Sequence, residues 1–279
     1  MPIGIVTDST CDLPPEVVRE HKIAVIPILV HVGSQEYRDG VDLSRERFYS
    51  ELPGMKPSPS TAAPGVDVFR QTYERLATEG ATEILSIHIS HRLSATVDVA
   101  RLAAQATAAA RVTVFDSRQL SLGMGFEVHS AARAAGAGRS MAEILSLLED
   151  QISRTHTFAA LDTLEYMRRG GRMNPAIAAL GGVLQIKPIL KMYDGVPTAE
   201  RVRTRSKAIR RVKELLARHA PFDNVAVVHT GAEARAKELL EEVRGQLPQR
   251  DIWVREISPV LGAHIGPGVV GFACLSERR

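Results

Sequence analysis

Short apolar runs alternate along this chain with longer stretches of helical period, the pattern of strands joined by helices. Residues 3–6 read as a buried strand. It ends at Thr7-Asp8-Ser9-Thr10, where polar side chains are placed to cap a helix opened by Pro14-Pro15. Residues 24–32 read as a second strand, which Pro27 marks as an edge or a strand start. A turn-rich excursion covers 35–43, and Ser44 then caps a helix reaching Leu52. A Pro/Ser-rich loop, 53–64, feeds a helix over 65–80. The next strand, 83–89, breaks into Ser90-His91-Arg92-Leu93-Ser94-Ala95-Thr96 before a helix that runs to Ala110. Strand 112–115 ends in Asp116-Ser117, an echo of Asp8-Ser9 after the first strand, and helices follow at 120–136 and 140–153. Repeated strand–loop–helix units of this length predict a parallel sheet wound by crossovers.

The pattern changes near residue 155. A strand over 157–160 leads to a short helix, 161–168, the turn Gly170-Gly171-Arg172 and a small-residue helix over 175–184. Strands 186–192 and 196–203 bracket Asp194-Gly195, a dipeptide suited to a two-residue hairpin turn. An amphipathic helix, 207–219, precedes a strand at 225–229, a helix at 232–246 and a strand at 252–257. His264-Ile265-Gly266-Pro267-Gly268 then leads into a last strand, 269–275. The expected architecture is α/β in two domains, which a chain of 279 residues readily fills. Residues 1–155 form a Rossmann-like parallel sheet with flanking helices, and 156–279 form an α/β unit with a mixed sheet. A ligand is expected between or beneath them.

Composition narrows the functional classes. Aromatic residues are only 5%, so the core must be built from Ala, Val, Leu and Ile, which suits a sheet covered by helices. The net charge is +3, and basic residues are scattered except for clusters at 168–172 and 201–211. Nucleic-acid binding calls for a more concentrated stripe and is set aside. Cys11 and Cys274 are the two cysteines, and neither has a CxxC partner, so a reducing compartment is expected. The chain opens directly on a strand, and no uncharged apolar run approaches the roughly 18 residues that span a bilayer. A cytoplasmic location is the expectation.

Ligands of open parallel sheets bind beyond the carboxyl ends of strands, beside helix N-termini that favour anions. Three hydroxyl-rich loops answer that description: 8–10, 60–64 and 90–96. Any one of their hydroxyls also serves as an ordinary helix cap. An acyl hydrolase using Ser94 with His264 is the alternative function, although no Gly-x-Ser-x-Gly elbow is present. A nucleotide enzyme is disfavoured, because no Gly-x-x-x-x-Gly-Lys-Ser/Thr loop occurs and Gly123-Met124-Gly125 does not continue as Gly-x-Gly-x-x-Gly. His88, His91 and His129 make a poor metal set: the first two fall on opposite faces of a strand end, and nothing completes four ligands.

Seven segments in order carry a resemblance over essentially the whole chain. They are residues 5–14 (Ile-Val-Thr-Asp-Ser-Thr-Cys-Asp-Leu-Pro), Ser60-Thr61-Ala62-Ala63-Pro64, residues 89–96, Asp116-Ser117, Ser121-Leu122-Gly123-Met124-Gly125, residues 164–172 and residues 262–268. Together they resemble the DegV family, which includes the fatty-acid-binding subunits of bacterial fatty acid kinase. The resemblance implies a non-catalytic carrier of a long-chain fatty acid. Its carboxylate is held by Thr61 and Ser94 with His264 close by, and its tail lies in an apolar tunnel. Thr96, Ser9 and Gly266 are secondary candidates. The resemblance also implies a separate ATP-dependent kinase subunit that phosphorylates the bound carboxylate, so no cofactor is expected on this chain. Arg169, Arg172 and Arg203 are candidates for docking that kinase, and transient contact with a membrane surface is compatible with such a cargo. The tunnel is expected along 176–184 and 183–190. Two departures stand out: Ala62-Ala63 replaces the family's usual Ser-Gln, and Ala95 replaces its usual glycine, which is expected to narrow the backbone there.

Overall fold

The computed structural model describes residues 2–173, 175–178 and 186–278. In chain order the first half runs β1 (Ile3–Asp8), α1 (Pro15–Glu20), β2 (Ala24–Ile26), β3 (Leu29–Val32), β4 (Gln35–Arg38), α2 (Arg45–Glu51), β5 (Ser60–Ala62), α3 (Val66–Thr78), β6 (Glu83–His88), α4 (Thr96–Ala106), β7 (Arg111–Asp116), α5 (Ser121–Gly136) and α6 (Met141–Ile152). The second half runs β8 (Thr155–Ala160), α7 (Glu165–Arg169), α8 (Pro175–Ala178), β9 (Lys187–Tyr193), β10 (Val196–Val202), α9 (Arg205–His219), β11 (Phe222–His229), α10 (Glu233–Val243), β12 (Trp253–Glu256), α11 (Pro259–Ile265) and β13 (Val270–Ser276).

Three sheets result. Four parallel strands lie in the order β2-β1-β6-β7, six mixed strands in the order β10-β9-β8-β13-β11-β12, and three short antiparallel strands in the order β4-β3-β5. The parallel sheet uses strands up to Asp116 and the mixed sheet strands from Thr155 onward. Local chemistry sets several of the boundaries. Ser44 and Thr204 cap α2 and α9 through their hydroxyls, and Ser140 with Glu143 forms a complete capping box on α6. The Asp194-Gly195 turn joins β9 to β10 as a hairpin, with both residues at positive φ.

The fold departs from the sequence pattern where the chain leaves the parallel sheet. The expected strand over 24–32 breaks after Ile26, since Pro27 cannot donate to a ladder. Its second half becomes β3 in the antiparallel sheet. The turn-rich excursion contains β4, and the Pro/Ser-rich loop contains β5. The side chains of the 7–10 segment do not cap α1, which has no side-chain cap. Asp8 instead closes a short turn over 9–11, accepting from the N–H and the hydroxyl of Thr10.

α5 joins the two large sheets. Its neighbours Ile5 and Leu85 from one sheet and Ala226, Ala273 and Leu275 from the other belong to a single apolar cluster. Small residues permit this close placement. A Cβ at Gly123 would stand 2.5 Å from Thr157 Oγ1, and one at Gly125 2.6 Å from the carbonyl oxygen of Cys11. No described helix is long and apolar enough to cross a membrane.

Candidate ligand-binding site

A mostly apolar cavity lies against one face of β8, β9 and β10. Two-residue alternation places Thr157 and Ala159, their partners Met192 and Leu190, and Pro197 on that face, and all five line the cavity. The opposite face carries Ile189, which packs under α9. The tunnel expected over 176–184 and 183–190 is therefore only partly described: Ile177 and Leu190 line the cavity, Ile189 does not, and 179–185 lie outside the described residues. Including the open solvent at its mouth, the space measures about 1110 Å³.

A few polar groups interrupt the apolar lining. Thr61 on β5, Ser94 before α4 and His264 on α11 all face the cavity, although they come from three distant parts of the chain. Thr61 Oγ1 lies 2.8 Å from His264 Nε2. Burial, reinforced by the positive charge of Arg172, lowers the imidazole to about 4, so it is neutral near pH 7. Its Nδ1 is buried and has no hydrogen-bond partner among the described residues. A buried bare lone pair is easier to tolerate than a buried unpaired N–H, which assigns the proton to Nε2. Nε2–H then donates to Thr61, and the Thr61 hydroxyl proton is free to donate into the cavity. Ser94 Oγ lies 2.8 Å from Thr96 Oγ1 and accepts from Thr96 N at 3.3 Å, at the first turn of the eleven-residue helix α4. The dipole of that helix favours negative charge at this end.

Packing fixes these positions. A Cβ on Gly170 would overlap His264 Nδ1, so the absence of a side chain there seats the ring. Gly262 leaves room in the same way for Tyr49, whose hydroxyl donates to the carbonyl of Ile257 at 2.8 Å and binds α11 to α2. Asp12, held at φ 55°, gathers the surrounding loops. Its carboxylate accepts from Ser258 N at 2.9 Å and Ser121 Oγ at 2.6 Å, and it pairs with Arg45 at 3.0 Å. The helix α11 was absent from the sequence reading, although Ser258 followed by Pro259 is a start signal: Ser258 accepts from Leu261 N, and Pro259 occupies the first turn.

The secondary candidates support the site without lining the cavity. Thr96 is buried against Ser94. Ser9 accepts from Ile28 N at 3.1 Å and bonds Asp39, whose carboxyl burial pushes up to about 7. Gly266 ends α11 at φ 75°, and a Cβ there would overlap the Tyr166 ring. Ala95 sits at φ −75°, which any residue adopts, so alanine is held there without backbone strain. Ala62 and Ala63 are part of the cavity lining. Of the arginines, Arg172 lines the cavity and donates to the carbonyl of Gly170 at 2.9 Å, Arg169 is paired with Glu165, and Arg203 is exposed just beyond β10.

Among the described residues no hydrogen bond joins Ser94 to His264. A serine–histidine–aspartate chain does exist elsewhere: Ser86 Oγ is 2.6 Å from His88 Nε2, and His88 Nδ1 is 3.0 Å from Asp8 Oδ2. All three are completely buried and none lines the cavity, so this is a core network. The His91 imidazole is paired with Asp116, His129 lies beside His21, and the described residues hold no cluster of three metal-ligating groups.

The family model described as "Uncharacterised protein, DegV family" matches residues 2–277. A DegV domain-containing protein of Streptomyces coelicolor is 37% identical over 280 residues, covering 99% of each chain. Among solved structures, DegV from Bacillus subtilis, described as a fatty acid binding protein, superposes with a TM-score of 0.91 at 32% identity, covering 99% of this chain and 100% of that one. A DegV family protein from Thermus thermophilus, described for its fatty acid binding, gives 0.90 at 33% identity with the same coverage. The chain belongs to the DegV family.

Proposed function

We propose that this chain binds a long-chain fatty acid in the cavity and presents its carboxylate to a separate ATP-dependent kinase subunit for acyl-phosphate formation. The observation that carries the reading is an apolar cavity with Thr61, Ser94 and a neutral His264 on its wall. A carboxylate taken out of water keeps its charge only where donors meet it. Two hydroxyls and the N-terminus of α4 supply donors without a buried cation, and His264 aims the Thr61 hydroxyl. Each buried CH₂ adds about 0.8 kcal/mol, so the tail contributes most of the affinity. The DegV proteins of Bacillus subtilis and Thermus thermophilus, both described as binding fatty acid, support the choice of ligand. In this reading the carrier catalyses nothing, since among the described residues no base is hydrogen-bonded to Ser94.

The test is direct. Organic extraction of the denatured protein followed by mass spectrometry should yield about one fatty acid per chain. Replacing both Thr61 and Ser94 by Ala should weaken fatty-acid binding at least tenfold, at roughly 1.5–3 kcal/mol per hydrogen bond to a charged group. Unchanged affinity in that double variant rejects the head-group site. For the kinase, Arg203→Glu separates docking from binding best, because Arg203 is exposed and lies off the cavity lining. It should slow phosphorylation by the kinase severalfold with fatty-acid affinity intact; full turnover would remove Arg203 from the docking face.

A further inference from the structure

Asp162 follows the last residue of β8 by two positions, and three cations converge on its side chain. Lys187 Nζ is 3.1 Å from Asp162 Oδ1 and also donates to the Asp162 carbonyl at 3.1 Å. Arg205 Nη2 and Arg235 Nη1 each stand 4.0 Å from Asp162 Oδ2. That separation is too long for a hydrogen bond, and among the described residues the buried Arg235 Nη1 has no hydrogen-bond partner. Gly268 forms one wall of the cluster at φ 86°, and a Cβ there would stand 2.6 Å from Asp162 Oδ2 and 3.2 Å from Arg235 Nη2. None of these residues lines the apolar cavity.

One carboxylate does not neutralise three cations. The two guanidinium groups hold donors towards the same spot without closing on the oxygen that faces them. A buried, unpaired guanidinium donor is costly, and a multi-oxygen anion between the two forks would satisfy it. A planar fork matches phosphate oxygens in pairs, and a lysine adds a compact charge from a third direction. The geometry points to a second ligand site on this protein, an oxyanion site for a phosphate group, formed by Lys187, Arg205 and Arg235 around Asp162. Asp162 holds the cations apart and opposes the incoming anion, so the site binds weakly and reversibly. The phosphate comes either from solution or from the headgroup of an anionic phospholipid.

The experiment titrates pyrophosphate into the isotopically labelled full-length chain at low ionic strength, following the backbone amides of Gly268 and Lys187 by NMR. Saturable shifts are expected. Lys187→Gln and Arg235→Gln should each weaken binding at least about fivefold, and Asp162→Asn should tighten it by a similar factor. The Asp162→Asn arm distinguishes a site from an internal ion network. A purely structural cluster would lose thermal stability in that variant and gain no affinity, which overturns the proposal, as does a non-saturable response in the native chain. Sedimentation with phosphatidylglycerol vesicles, against phosphatidylcholine vesicles, separates the two sources. Retention that depends on Lys187 assigns the headgroup, and saturable pyrophosphate binding without retention assigns free phosphate.

Discussion

At the scale of single residues, the site depends on atoms that are missing. Gly170 has φ −79°, which any residue adopts, so its backbone does not require glycine. What requires it is the His264 ring, which occupies the place of a Cβ. Gly170→Ala should therefore push the imidazole away from Thr61, free the threonine hydroxyl to rotate and lower fatty-acid affinity about tenfold with little change in helix content. Displacement of a fluorescent fatty acid, read beside far-ultraviolet circular dichroism, checks this; native affinity would show that His264 does not orient Thr61. The sequence showed Gly170-Gly171 only as a turn. Contact with His264 was not legible, because nothing local in the chain relates residues 94 positions apart. The family motifs singled out Thr61, Ser94 and His264 and implied that they share a site; the 2.8 Å contact of Thr61 with His264 was not legible.

At the scale of elements, short pieces position the site, and short pieces are what periodicity detects least well. The long helices α3, α5, α6 and α9 stood out in the sequence, because each carries three or four turns of patterned residues. The three-residue strand β5 and the seven-residue helix α11 carry Thr61 and His264, yet each is too short to show a period. Tertiary contacts fix them, Asp12 above all. Burial raises the Asp12 carboxyl despite Arg45, the bonds from Ser121 and Ser258, and Arg255. Desolvation outweighs the pairing, so Asp12 serves placement more than net stability. Asp12→Ala removes the carboxylate that pairs with Arg45 and strips an acceptor from Ser258 N and Ser121 Oγ. We expect a loss of about 3 kcal/mol in urea unfolding, together with weaker fatty-acid binding as α11 shifts. A loss below about 1 kcal/mol, within the range of an exposed ion pair, would mean that these loops hold their places without it.

At the scale of the whole molecule, two sheets with separate strand sets would ordinarily suggest two units that unfold one after the other. The core argues otherwise. α5 is buried along most of its length, and its apolar cluster takes side chains from β1 and β6 on one side and from β11 and β13 on the other. Removing either sheet would expose that helix, so the two halves share one layer of their core. Trp253, the single tryptophan, lies on β12 of the mixed sheet and stacks on Phe126 of α5, with ring centroids 6.1 Å apart. Its fluorescence therefore reports the junction, and far-ultraviolet circular dichroism reports the whole chain. The two signals should give coincident urea midpoints and one transition. A saturating fatty acid should move both midpoints upward together, because the cavity is walled by β5 and the loop before α4 as well as by β8, β9 and α11. Separated midpoints, or a fatty acid that shifts only one, would show that the sheets unfold independently and that the ligand is held by one of them alone.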